Sequence, residues 1–324
     1  ALISLEMAAQ RPDLKTYVGK QLTVVAYLWS RTVKSPNPAF SHVDVPLASN
    51  FMVSSKSGKE AYVVPVIDKG GYHFIVKVGK PVDEDATKHG MSAGKWNAFR
   101  CLMSDVPITY DYIREEGLAG RLGCRLMAVV VEGERGRHYL SPTSELERSA
   151  LQARPTWFPE LEINYHPRDI KTQIYGLTKY GDLFTRRQLV SLNTFSALVH
   201  EASARAMRHA IAAGLNEDGK HLREGGNGAT AYGEAIAVYL ACVVDRMAYY
   251  GSSITTWLPK DNALRDCMPR QALAMTWDFA EGNPLAKSSG DISTCSRATT
   301  GASPTSTSRI PPSRNTRPMS WPIG

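Results

Sequence analysis

The sequence has no long hydrophobic run and no cysteine framework. No stretch approaches the roughly 18 consecutive apolar residues that a membrane-spanning helix needs, and the first residues, ALISLEMAAQRPD, lack the basic start and apolar core of a signal peptide. The five cysteines are odd in number and widely spaced, which is not the pattern of a secreted disulfide scaffold. These absences predict a cytoplasmic protein with reduced thiols and no membrane partner.

The composition supplies a sizeable core but only a weak charge signal. The chain has 324 residues, of which 43% are hydrophobic, and its formal net charge is +7. From Asp291 onward four arginines and one aspartate contribute +3 of that charge, which leaves +4 for the rest. A balance this modest is common in proteins that bind no nucleic acid, so charge alone favours a polyanionic partner only slightly.

The first half of the chain is rich in strand patterns. QLTVVAYLW at 21–29 suits either a buried strand or the end of a helix. AYVVPVIDKGGYHFIVKVG at 61–79 predicts a hairpin around 68–71, with Pro65 at a sheet edge or bulge. RLMAVVVEGERGRHYL at 125–140 repeats this order of strand, charged glycine turn and strand.

The second half of the chain is predicted to be helical. Ser141 is a predicted helix cap, and Thr185 with Gln188 forms a capping-box pattern at the start of a long amphipathic helix that ends near Gly214. ATAYGEAIAVYLACVVDRMAYY at 229–250 is apolar around much of its circumference, which predicts a central helix.

A third helix is predicted over about 262 to 281, around Pro269. The sequence therefore predicts an α+β fold, with a β-ribbon and hairpin-rich N-terminal half, a helical subdomain and a disordered tail rich in serine, threonine, proline and arginine. The predicted segments are a lead-in at 1–30, a ribbon-like β region at 31–140, the helical subdomain at 141–287 and the tail at 288–324.

Two short segments look like the knuckles of a zinc ribbon. They are TVKSPNPAF at 32–40 and RCLMSDVPI at 100–108, and their candidate ligand positions are Ser35 and Phe40 in the first and Cys101 and Ser104 in the second. A structural zinc site needs four thiolate or imidazole ligands. Hydroxyls and a phenyl ring cannot replace thiolates, so the residues favour a metal-free β-ribbon.

Three arginines are candidates for nucleic-acid contact. DYIREEGLAGRLGCRLMAVV at 111–130 sets Arg114, Arg121 and Arg125 among glycines beside a predicted strand, which would suit phosphate contacts. Solvated surface arginines would give the same pattern.

Taken together, these segments resemble the large bacterial adenine-specific DNA methylases that contain an inserted zinc ribbon and begin with a domain of unknown function. The resemblance runs from about Val24 to Ser289 and covers only the middle region of that family. It rests on WSRTVKSPNPAF, SGKEAYVVPVID, PITYDYIREEGLAGRLGCRLMAVVVEG, GLTKYGDLFTRRQLVSLNTFSALV, ATAYGEAIAVYLACVVDRMAYY and RQALAMTWDFAEGNP.

The resemblance implies methyl transfer from S-adenosylmethionine to adenine N6 in the intact family, which is often found in phage-defence loci. It also places the four ribbon cysteines at Ser35, Phe40, Cys101 and Ser104, so zinc is not expected. The family's cofactor glycine motif and Asp-Pro-Pro-Tyr motif are not in this sequence, where the nearest string to the latter is 283–285, Asn-Pro-Leu. We therefore expect no catalytic or cofactor-binding residues in this chain.

The sequence leaves three interpretations. In the first, the chain is the middle region of an adenine methylase, inactive alone, that contributes DNA recognition or architecture and has DNA, missing methyltransferase halves or other defence-system proteins as partners. A frameshift near Ser289 and a truncation would explain the start at Ala1, the missing motifs and the tail. The alternative is a metal-free protein-interaction module that docks through the helix after Thr185, and the third is a decayed remnant.

Overall fold

The computed structural model describes residues 1–94, 98–134, 136–268, 272–286 and 290–300. The α-helices are α1 (Leu5–Gln10), α2 (Glu84–His89), α3 (Tyr110–Leu118), α4 (Ser144–Leu151), α5 (Arg186–Ala212), α6 (Ala229–Tyr250) and α7 (Ile292–Thr300). The strands are β1 (Thr23–Lys34), β2 (Asp44–Pro46), β3 (Met52–Ser54), β4 (Ala61–Asp68), β5 (Gly71–Val78), β6 (Phe99–Arg100), β7 (Pro107–Ile108), β8 (Gly123–Gly133), β9 (Gly136–Leu140), β10 (Thr256–Leu258), β11 (Ala263–Arg265) and β12 (Asp278–Gly282). Short 3-10 helices lie at Pro12–Tyr17, Pro38–Phe40, Gln173–Tyr175, Tyr180–Leu183 and Leu222–Glu224.

The main sheet is antiparallel and contains five strands. Its order is β12-β1-β8-β9, and β2 pairs with the far end of β1 on the same edge as β12. The apolar run at 21–29 is therefore strand and not helix. Most of β1 is buried, because the sheet is covered on both faces and two register shifts interrupt the alternation of its side chains.

The predicted hairpin at 61–79 is confirmed as β4 and β5. Lys69 and Gly70 have positive φ angles of 38° and 81°, as a tight two-residue hairpin turn requires. Strand β3 pairs only with Ala61 and Tyr62 of β4. Pro65 therefore lies beyond the end of β3, where a residue without an N–H disrupts no ladder.

Two apolar clusters hold the sheets together. One joins the three-stranded sheet β3-β4-β5 to one face of the main sheet and includes Leu28, Val63, Phe74, Met127 and Ala280. The other covers the opposite face with α1, the following 3-10 helix and α4. This arrangement makes β12 part of the core of the strand-rich half, although β12 begins 138 residues after the end of β9 in the sequence.

Of the two helix caps predicted from local sequence patterns, one is observed and one is not. The predicted capping box of Thr185 and Gln188 is confirmed at the start of α5. The predicted cap at Ser141 is wrong, since α4 begins three residues later with Thr143 as its cap. The Ser141 hydroxyl instead accepts a hydrogen bond of 2.9 Å from the backbone N–H of Val76 in β5.

Helices α5 and α6 form a long antiparallel hairpin. The bounds of α6 match the predicted ones, but its predicted central position is wrong. Val238 and Tyr239 are 56% and 59% exposed, whereas Val243 and Met247 near its C-terminal end are buried. Ala229, Ala231 and Gly233 near the start of α6 are also buried, so the buried residues of α6 lie toward its two ends and its middle is the exposed part.

The predicted third helix is also wrong. In its place the described residues form β11 and β12, and β12 pairs with β1. Pro269 lies outside the described residues. Within the tail predicted to be disordered from 288, Ile292–Thr300 forms α7, whose Cys295 is buried against Val243 and Met247 of α6; residues 301–324 lie outside the described part of the chain.

The α+β fold class is confirmed, with a strand-rich first half followed by helices. Among the helices of the described residues, none combines the length and apolar character needed to cross a membrane.

Candidate functional site

The two segments predicted as knuckles come together in space. The Ser35 hydroxyl lies 3.2 Å from the Cys101 thiol across 66 residues of sequence. The side chains are buried, with 3% of Ser35 and 1% of Cys101 exposed. We call 35–40 and 101–106 the paired turns.

The first paired turn follows directly from β1. Ser35 donates its N–H to the carbonyl of Val43 at 3.0 Å, and its hydroxyl accepts from the N–H of Asn37 at 3.3 Å. The Asn37 side chain then caps the short 3-10 helix Pro38–Phe40. This turn is therefore built by local hydrogen bonds, and Phe40 packs against the core that joins the two sheets.

The second paired turn connects the short strands β6 and β7. The carbonyl of Cys101 accepts hydrogen bonds from the N–H groups of Ser104 and Asp105, at 3.3 and 2.8 Å, and Cys101 itself donates to Val106 at 2.8 Å. Asp105 takes a left-handed φ of 56° to close the turn. Backbone hydrogen bonds therefore close this turn.

The donor atoms of the paired turns do not fit zinc. The four positions offer one thiol, two hydroxyls and one phenyl ring, where a structural zinc site needs four thiolate or imidazole ligands. The Ser104 hydroxyl is buried and has no hydrogen-bond partner among the described residues. Across that same part of the chain, no group of three or more His, Cys, Asp and Glu side chains is placed to hold a metal ion.

Each of the three candidate arginines forms an ion pair with a different carboxylate. On α3, Arg114 contacts Asp111 at 2.6 Å, and its guanidinium lies 6.0 Å from the centre of the Tyr175 ring. Arg121 follows α3 and makes two hydrogen bonds to Glu116, of 3.1 and 2.7 Å. This pairing raises the pKa of Arg121 above its usual value.

Arg125 is the least accessible of the three. It lies on β8, where its Nε is 2.9 Å from Glu147 of α4 and its guanidinium is 5.1 Å from the centre of the Tyr72 ring. Glu147 also accepts a hydrogen bond of 3.1 Å from the backbone N–H of Leu126. Arg125 therefore ties β8 to α4 and β5, while Arg121, with 56% of its side chain exposed, faces solvent.

The sequence patterns did not reveal two acidic residues on β12, the buried Glu281 and the half-buried Asp278. Glu281 pairs with Arg187 of α5, and the carboxylate of Asp278 accepts hydrogen bonds from the N–H and hydroxyl of Ser49. Burial raises the pKa of Asp278 to about 7, although the hydrogen bonds from Ser49 and an interaction with the backbone N–H of Asn50 act to lower it. The single acid inside the largely apolar string TWDFA at 276–280 is the available signal, although the sequence pattern there predicts a helix.

Comparison with known proteins finds no family model, no curated protein and no solved structure that matches the chain.

Proposed function

We propose that this chain is the ribbon-and-helix region of an adenine-specific DNA methylase of the kind that carries an inserted zinc ribbon. In this proposal it contributes architecture and DNA contact in the cytoplasm and does not itself transfer the methyl group. The contact between Ser35 and Cys101 supports it, because these are two of the four positions that the resemblance assigns to ribbon ligands. Segments at this sequence separation meet only when the tertiary fold brings them together.

In this proposal the paired turns are a ribbon element that is connected without zinc. In a ribbon with zinc, the ion crosslinks two turns; here the Ser35–Cys101 contact and the surrounding apolar core connect them. S-adenosylmethionine supplies the methyl group in the intact family. We assign none of the described side chains to that cofactor, since the motifs that bind it there are not in this sequence.

Among the three arginines, Arg121 is the best candidate for a phosphate contact. Its guanidinium is more exposed than those of Arg114 and Arg125, and its link to Glu116 orients the side chain. The carboxylate also offsets part of the positive charge, so we expect a modest contribution to DNA affinity. Arg125 is better explained as a structural link between β8 and α4.

Salt-dependent DNA binding tests this proposal. The affinity for duplex DNA should fall with increasing salt, and Arg121→Ala should weaken binding and reduce the slope of log K against log salt by about one. Arg168→Ala is the matched control, because Arg168 is also an exposed arginine paired with a carboxylate, that of Asp169. Salt-insensitive or undetectable binding by the unmodified chain would overturn the DNA role.

A second candidate function is a metal-free protein-interaction module. The exposed apolar side chains of α6, including Tyr232, Val238 and Tyr239, favour it. This reading predicts no salt-dependent binding to DNA. The same titration therefore separates the two proposals.

A further inference from the structure

A cavity of about 280 Å³ lies within the strand-rich part of the fold. Strands β1, β3, β8, β10 and β12 and the segment before β12 contribute to its walls. The side chains that define it here are Met52, Met127, Trp257, Met275, Trp277 and Asp278, and we call it the Asp278 cavity. A concave site with apolar walls and a few polar groups is the usual form of a small-molecule site.

The aromatic walls of the cavity are held in place by their neighbours. The indole N–H of Trp257 donates a hydrogen bond of 2.7 Å to the carbonyl of Val53. The ring of Trp277 makes edge contacts with Phe99 and Tyr175, at centroid distances of 5.6 and 4.9 Å. Both rings are therefore fixed before any ligand arrives, which lowers the entropy cost of binding.

The carboxylate of Asp278 is only half satisfied. Its Oδ2 accepts hydrogen bonds from Ser49, whereas its Oδ1 is buried and has no partner among the described residues. Asp278 is also the only charged side chain among the described residues that line the cavity. A buried polar atom without a partner is rare in folded proteins and calls for an explanation.

These features restrict the chemistry of a ligand. An ionised carboxylate accepts hydrogen bonds and repels anions, so the complementary group is a positively charged N–H donor. Methionine and tryptophan side chains favour an apolar or aromatic body, and tryptophan also attracts cations through its ring face. A neutral apolar ligand would leave Oδ1 unpaired.

We propose that the Asp278 cavity binds an organic ammonium ion whose ammonium group donates to Asp278 and whose apolar part lies against Trp257, Trp277 and the methionines. This site is separate from the paired turns, and its occupancy does not depend on DNA binding.

Isothermal titration calorimetry at about pH 8 tests the site with two probes of similar shape, benzylammonium and neutral benzyl alcohol. The unmodified full chain should bind benzylammonium at least about tenfold more tightly, a difference of about 1.4 kcal/mol. Because this comparison uses one protein, it does not depend on the folding of any variant. Equal affinities, or no binding of either probe at millimolar concentration, would overturn the proposal.

Two variants then locate the binding. Asp278→Asn should remove the preference for benzylammonium, because the amide keeps the size of the side chain but loses its charge. Asp245→Asn is the control, since Asp245 is an exposed aspartate on α6 and should leave the preference unchanged. A preference that survives in Asp278→Asn would place the ammonium ion elsewhere and overturn the assignment.

Discussion

The hydroxyl of Ser35 and the thiol of Cys101 lie 3.2 Å apart, each at the first position of one of the paired turns. The ligand atoms of two residues in a structural zinc site lie at a comparable distance from each other, because both must reach the same ion. Hydrogen bonds within each turn and the apolar core around Phe40 and Cys101 hold the two turns in this arrangement.

The proposed ribbon predicts that four thiols at the paired turns would form a zinc site. The triple variant Ser35→Cys, Phe40→Cys and Ser104→Cys, together with native Cys101, should bind one equivalent of Zn²⁺ and give the thiolate charge-transfer band with Co²⁺. Metal content after gel filtration and the Co²⁺ spectrum measure this. The same variant with Cys101→Ser is the control and should bind more weakly; failure of the four-thiol chain to bind metal would contradict the ribbon interpretation.

The ion pair between Arg187 and Glu281 should be important for stability. Arg187 Nε lies 2.9 Å from Glu281 Oε1, and its guanidinium lies 4.7 Å from the centre of the Trp29 ring. Glu281→Gln removes the charge that balances this guanidinium, and we expect urea denaturation to show a loss of about 3 kcal/mol.

Two comparisons make the ion-pair result specific. The double variant Arg187→Met and Glu281→Leu should recover much of the loss, because it removes both charges and keeps the apolar volume. Glu84→Gln, in an exposed pair with Lys88, should have a much smaller effect, because solvent screens that pair. Similar losses in the free energy of unfolding for Glu281→Gln and Glu84→Gln would show that the buried pair stabilises the fold no more than an exposed pair does.

Asp278 should make stability depend on pH. Burial raises its pKa from 3.8 to about 7 in the folded chain. Between these values the folded chain binds a proton that the unfolded chain has released, so the free energy of unfolding falls as pH rises through this range and levels off above it. Each pKa unit corresponds to about 1.4 kcal/mol.

Asp278→Asn should remove this contribution, because an amide does not titrate. Urea midpoints of the two proteins across this pH range provide the measurement, and the stability of the variant relative to the unmodified chain should rise with pH. Parallel pH profiles would contradict the raised pKa. A change in Asp245→Asn, the exposed control, is not expected.

Two valines of α6 provide a direct test of its position. Val243 is 4% exposed and Val238 is 56% exposed. Val243→Ala should reduce the free energy of unfolding by about 1–3 kcal/mol through lost burial and a cavity. Val238→Ala should change it by less than about 0.5 kcal/mol. Equal losses would mean that the outer face of α6 is covered in solution.

Local sequence patterns were sufficient to predict several elements. The hairpin of β4 and β5, the order of β8 and β9, the capping box at Thr185 and the bounds of α6 all depend on residues close to one another in the chain. Turn residues, side-chain caps and hydrophobic periodicity act over a few residues, so they can be read directly from the sequence.

The tertiary structure decided the remaining features. It placed 278–282 in a strand beside β1 rather than in a helix, left the outer face of α6 exposed and paired Arg125 of β8 with Glu147 of α4. It also brought Ser35 to Cys101 and Asp278 to Ser49, across 66 and 229 residues. Such contacts depend on which distant surfaces pack together, and no periodicity within a single segment contains that information.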